Sequence, residues 1–413
     1  MQAIVRTLRV PSFGRLAVTY ALNEMADWFA SIALAVLIYD QTRDPLATTA
    51  LFLGNRFLPA FIVPALSARL DSLPAARTLA GMYVVEAIAL AALAVTSGAF
   101  WLPAVLLLAC FDGTMASTAR ALTRSATVAL MEPKGLLREG NAAMNLSFST
   151  MNAGAPVLGG VLVAFAGGGV VLAIASALFV AQAIVIVGAR ELPAGEPEAA
   201  PWRDRLSEAM AYVRGHRFLA RLLVSQALVI VLIMMIPPIE VIYAKESLGV
   251  GSAGFGVLLA AWGVGMVAGS LVFARERKRS LLWLIVLGAL AQGVAYLGMA
   301  AAPTLLVACG AAVVGGVGNG VHWVAVITGA QEATAEEFQG RVAGLLEGLV
   351  TGAPGLGFIL GGVVTSLADP RLTLVISGGG IVLVLLASLP LLAARSGRMA
   401  RLPVAPEPQP EPA

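Results

Sequence analysis

The chain has 413 residues, of which 59% are hydrophobic and 12% charged, with a mean hydropathy of +0.87. A soluble protein has no way to bury that much apolar surface, so the composition excludes one and places the chain in a bilayer. The net charge is +3 and the pI near 9.1.

Spanning helices need about 20 mainly apolar residues each. Twelve such segments are predicted in chain order, over 16–39, 46–68, 78–98, 101–122, 142–166, 168–189, 222–243, 253–274, 280–301, 304–329, 343–366 and 372–394. The reading is an all-α integral membrane protein of twelve transmembrane helices. With the N-terminus placed inside, 23 of the 27 basic residues fall in inner segments, Arg120 and Arg124 among them. The outer loops hold only Arg43, Lys245 and Arg371. That bias puts both termini in the cytoplasm and requires an even number of spans, as expected in a cell inner membrane. The positive net charge follows from the same bias and is no evidence for nucleic acid as a partner. A cleavable signal is not expected, because the first apolar segment is long, carries Glu24 and Asp27, and runs straight into the second.

An internal duplication organises the chain. Leu106–Cys110 recurs as Leu305–Cys309, behind Pro103 and Pro303, and Gly154-Ala155-Pro156 recurs as Gly352-Ala353-Pro354, at offsets of 199 and 198. Two matches in nearly one register predict two pseudo-symmetric six-helix halves, 1–189 and 222–394. Between them lies a cytoplasmic linker, 190–221. Within it Trp202, Leu206, Ala209, Met210 and Val213 share helical spacing, which predicts a helix lying on the membrane interface. Residues 395–413 are expected to be a disordered tail. The two cysteines, Cys110 and Cys309, lie in apolar runs, so neither a disulfide framework nor a cysteine metal site is expected.

Charges inside the spans are the candidates for chemistry. Acids at membrane depth are Glu24, Asp27, Glu86, Asp112, Glu240 and Glu347, and Arg56 is the only base expected at comparable depth. A charge at mid-bilayer costs roughly 2.5–3.5 kcal/mol, so such groups pair, become neutral or face water. Asp27 and Arg56 lie midway along adjacent antiparallel spans and are expected to meet. Their pair is either a static lock between two helices or part of a coupling device. Glu24, one turn before Asp27, is the freer carboxylate. Asn23, Trp28, Glu86, Asp112, Asn319, His322 and Trp323 are candidates to line a central cavity, although for His322 a buried neutral ring held by one hydrogen bond is the favoured reading over proton relay or substrate contact. Pro237-Pro238 should distort span 7 just before Glu240. The glycine pairs at four-residue spacing, such as Gly265 with Gly269 and Gly357 with Gly361, are explained by close helix packing. No lysine precedes Ser or Thr, which excludes a P-loop. Hydrolytic triads and metal centres lack support, and no cofactor is expected.

Ala26-Asp27-Trp28, the run from Arg56 to Pro59, the segment from Arg120 to Asn145, Ala155-Pro156 with Gly159-Gly160, and Gln339-Gly340-Arg341 together resemble the major facilitator superfamily. Within it they are similar to the drug-exporter branch of macrolide efflux proteins and the enterobactin exporter. The resemblance implies the major facilitator fold, export by alternating access and exchange against protons. It also implies conformational gating at the loop between spans 2 and 3, where this chain keeps Asp71 and Arg77 but carries Ser72, Pro74, Ala75 and Ala76 at other expected positions.

The function expected is a secondary active transporter, not an enzyme. It would export amphipathic small molecules or drugs in exchange for protons, as a monomer, with Asp27, Arg56 and Glu24 in coupling. Two alternatives stay open at this stage. One is a proton-independent facilitator or flippase of a lipid-like substrate, the other a non-transporting membrane receptor on the same fold.

Overall fold

The computed structural model describes residues 7–70, 73–189, 192, 202–275, 280–334 and 338–399, and these contain helices and no strand. Among them eleven helices are long and apolar enough to cross a membrane. They are Ser12–Thr42, Pro45–Leu70, Ala75–Thr96, Leu102–Lys134, Glu139–Ala166, Gly168–Val187, Ser252–Phe273, Leu281–Ala301, Leu305–Glu332, Gly344–Leu367 and Pro370–Ser388. The chain is a multi-pass membrane protein of the helical class that its hydropathy predicts.

The twelfth expected segment, span 7 at 222–243, is not one helix. It runs as Arg217–Ile233, breaks over 234–239, and resumes as Glu240–Ile242 followed by a π-turn, Tyr243–Ser247. Pro237 and Pro238 supply the cause, since neither has an N–H and each ring clashes with the carbonyl four residues earlier. The N–H groups of Ile239 and Glu240 both fall back on Ile236 O, at 2.9 and 3.0 Å. Twelve expected spans thus become, among the described residues, eleven continuous spans and one broken one.

Some predicted ends also move. Span 4 runs from Leu102 to Met131 instead of stopping at 122, and span 5 begins at Leu137 instead of 142. The last helix reaches Met399, so 395–399 of the expected tail are helical, while 400–413 lie outside the described residues. The linker helix is Trp202–Gly215, and it packs at the start of span 11, where Tyr212 stacks on Phe338 with ring centroids 4.2 Å apart.

Helix starts follow local chemistry. Pro11, Pro45, Pro103 and Pro370 occupy first turns, where a missing N–H costs nothing. Asp44 caps span 2 by accepting from the Leu46 N–H at 2.8 Å. Span 1 stops at Thr42 because Arg43 turns left-handed, with φ 52°, and returns its N–H to Tyr39 O.

Two seams join the halves, span 5 against span 8 and span 2 against span 11. The described cross-half contacts concentrate at the end of the bundle remote from the linker helix, here the far end. Val241, Ile242, Ala244 and Phe255 of the second half belong to the apolar core of the first. A Cβ placed on Gly160 of span 5 would lie 2.5 Å from Gly256 Cα of span 8, so only glycine permits this approach. Phe52 packs on Phe358 with centroids 5.6 Å apart. Lys245 Nζ sits 2.6 Å from Asp40 Oδ1, and the Tyr39 hydroxyl donates to Glu246 Oε1. At the linker end, by contrast, the apolar cluster around Leu219, Val326 and Leu346 draws on the linker and the second half and on no residue of the first.

Candidate functional site

Span 2 is distorted where Arg56 sits. Pro59 has no N–H to give the Asn55 carbonyl, and the Leu58 N–H reaches back five residues to Leu53 O at 2.8 Å, closing a π-turn over Leu53–Phe57. The freed Asn55 carbonyl is met from the side by Gly113 of span 4, where a Cβ would lie 2.1 Å from the oxygen. Asn55 Nδ2 donates to Ala109 O at 3.1 Å. Glycine on one helix and proline on the other therefore make the close contact that holds Arg56 in register with span 1.

Arg56 Nη2 lies 2.9 Å from Asp27 Oδ2 and donates to Ser31 Oγ at 3.0 Å, so the expected pair forms. The expectation that Arg56 is the only base at this depth is overturned. Arg120, assigned from sequence to an inner segment, lies within the lengthened span 4. Its Nη1 is 3.4 Å from the same Asp27 Oδ2, and its Nη2 donates to Ser117 Oγ at 3.1 Å. Asp27 is 6% exposed, Arg120 18% and Arg56 34%. One carboxylate oxygen thus gathers guanidiniums from two other helices. A signal for Arg120 was present, because Asp112, Ala116 and Arg120 follow at four-residue steps along one face with no proline between them.

The other expected acids surround this triad. Glu24 is buried, within reach of the charges of Arg120, Asp27, Arg56 and Arg124. Glu86 and Asp112 are buried, and Glu86 feels the charges of Asp112, Arg120 and Asp27. Both Glu86 oxygens, Asp112 Oδ1 and the Asn23 amide have no hydrogen-bond partner among the described residues. Half-buried Trp28 donates its Nε1–H to Asn152 Oδ1 at 2.9 Å, tying span 1 to span 5. Asn152 had not been singled out, since only the fold brings it to Trp28.

The second half is built differently. His322 does not line a cavity between the halves, as expected with Asn319 and Trp323. It is buried inside the second half, its ring nitrogens 3.0 Å from Ile285 O and 2.9 Å from Gln226 Oε1, beside a small pocket lined by Leu222, Val229, Ala289 and Leu385. A ring held between a backbone carbonyl and a side-chain amide in an apolar wall makes it a packing residue. Asn319 and Trp323 are half-buried on span 10. At the 199-residue offset Asp27 corresponds to Gln226 and Arg120 to Asn319, so neutral amides stand where the first half has charges. Of the expected gating pair, Asp71 lies outside the described residues and Arg77 is exposed at the start of span 3. Among the described residues no group of three or more His, Cys, Asp or Glu side chains is arranged to hold a metal ion.

Residues 222–412 match the model of the Major Facilitator Superfamily. Solved transporters share the architecture over nearly their whole length. The nucleoside transporter NupG aligns at a TM-score of 0.71 and 16% identity over 92% of this chain and 98% of its own. A bacterial homologue of the iron transporter ferroportin, in an inward-facing state, aligns at 0.70 and 15% over 92% and 98%. A bacterial homologue of the human lysosomal transporter Spinster, inward-facing and occupied, aligns at 0.70 and 13% over 95% and 98%. The fold is that of the major facilitator superfamily. At such low identity the likeness carries the facilitator fold, which these neighbours use as transporters and not as enzymes, and says nothing of cargo. No curated protein matches the chain by sequence.

Proposed function

We propose that this chain is a proton-coupled secondary transporter that exports amphipathic small molecules by alternating access. The observation that carries the reading is the buried Asp27 carboxylate held by Arg56 and Arg120. Protonating that one group releases two guanidiniums at once and unties span 1 from spans 2 and 4, which converts a proton into a helix rearrangement. Glu24 is the second coupling carboxylate, nearer the linker end. The reading places the basic linker end in the cytoplasm of a cell inner membrane, and the far-end contacts then fit an inward-facing conformation. Asn23, Trp28, Asn319 and Trp323 combine apolar surface with amide groups, a lining suited to amphipathic cargo. The chain acts as a monomer, without a cofactor.

Growth of an efflux-deleted host expressing the chain, against a panel of amphipathic antibiotics and dyes, tests this reading. Raised resistance that disappears when the proton gradient is collapsed is the expected result. Resistance that survives the collapse replaces proton coupling with a facilitator or flippase.

A further inference from the structure

The first half buries more carboxyl groups than guanidiniums to neutralise them. Asp27, Glu86 and Asp112, from spans 1, 3 and 4, are 6%, 0% and 2% exposed. Each lies within reach of the charge of Arg120, and Asp27 and Asp112 also of Arg56. Two guanidiniums therefore face three carboxyl groups, in surroundings where an uncompensated charge is costly.

The three are not held alike. Asp27 has both guanidiniums within 2.9 and 3.4 Å, whereas both Glu86 oxygens and Asp112 Oδ1 lack a hydrogen-bond partner among the described residues. Asn23, one turn before Asp27 on the same face of span 1, is also buried with its amide unpartnered. Nearby groups do not change the count. Glu24, also buried with Oε1 unpartnered, lies within reach of Arg120 as well as Arg124 and adds one carboxyl group against one further guanidinium, Tyr20 and Tyr83 bring uncharged phenols, and Gln182 of span 6 is neutral.

We propose that Asp27, Glu86 and Asp112 hold one proton among them, which resides on Glu86 or Asp112 in this conformation and passes to Asp27 when Arg120 leaves it. The transfer is internal. The O–H bond of that carboxyl breaks, an O–H bond forms on Asp27, and Arg120 becomes the counter-ion of the carboxylate left behind, so the charge of the buried cluster is unchanged. The inference rests on Asp27 as the coupling group and adds a store from which that group draws its proton while the halves rearrange.

Infrared spectra of the full chain in lipid bilayers at neutral pH, compared in water and deuterium oxide, test it. In a Glu240→Gln background, which removes the separate membrane carboxyl of span 7, the otherwise wild-type chain is expected to show the carbonyl stretch of one protonated, buried carboxyl. Glu86→Gln removes that band, and so does Asp27→Asn, although Asp27 is itself ionised, because Arg56 and Arg120 then suffice for Glu86 and Asp112. Glu86→Asp, which retains a carboxyl, keeps the band and separates a chemical loss from a folding defect. An otherwise wild-type chain without the band, or a band that survives Glu86→Gln or Asp27→Asn, overturns the proposal. The spectra report protonation without transport. A missing band with intact proton-driven flux therefore sinks the shared proton alone, and a present band without such flux sinks the coupling reading alone.

Discussion

Asp40 of span 1 and Lys245, beyond the break in span 7, form a 2.6 Å ion pair that joins the two halves at the far end. Beside it the hydroxyl of Tyr39 donates to Glu246, so consecutive residues of one half bond consecutive residues of the other. Asp40 is 41% exposed, and pairs of that kind are worth about 0.2–1 kcal/mol. Lys245→Ala is therefore expected to shift the balance between far-end-closed and far-end-open forms by no more than about fivefold. Distances between spin labels placed across the far end measure the two populations, and the paired reversal Asp40→Lys with Lys245→Asp should restore them.

The glycine seam should matter more than that latch. Gly160→Ala puts a methyl 2.5 Å from Gly256 Cα, against backbone that has no side chain to move aside. Overpacking of this kind costs about 1–3 kcal/mol, so the same label distances should show a larger loss of the closed form than Lys245→Ala produces. An unchanged distribution would mean that spans 5 and 8 do not need this contact.

Gly113→Ala tests the support of Arg56. Its methyl would meet Asn55 O at 2.1 Å and push spans 2 and 4 apart at the π-turn. Thermal unfolding should report a loss of about 1–3 kcal/mol. Proton-driven flux should fall as well, since Arg56 leaves Asp27. Wild-type stability and flux together would show that the bulge does not position Arg56.

His322→Leu should destabilise without uncoupling. It strands Gln226 Oε1 in an apolar wall, which costs about 1–3 kcal/mol, yet His322 is remote from the Asp27 triad in the opposite half. The dependence of transport on pH should keep the wild-type profile while the melting temperature drops. A displaced profile would return His322 to the coupling machinery.

Uniform hydropathy made most of this architecture legible, because an apolar run of about twenty residues in lipid has no alternative to a helix that satisfies its own backbone. Pro237-Pro238 announced a distortion of span 7 for the same local reason, although not that the helix would stop at Ile233. Asp27 and Arg56 could be paired by depth alone, being mid-span on neighbours. Arg120 stood at the inner end of the expected span 4, but its partner was not legible, because only the fold brings it to an acid on another helix, Asp27. The burial of His322 was legible, but its partner Gln226, 96 residues away, was not. Apolar pattern is local chemistry, whereas the pairing of buried charges and amides is decided by the fold.

The most direct test is substrate accumulation driven by an imposed pH gradient in proteoliposomes, comparing the wild type with Asp27→Asn and measuring gradient-independent exchange alongside. The account predicts that Asp27→Asn loses accumulation against the substrate gradient while still exchanging substrate downhill. Gradient-driven accumulation at the wild-type rate in Asp27→Asn would contradict it.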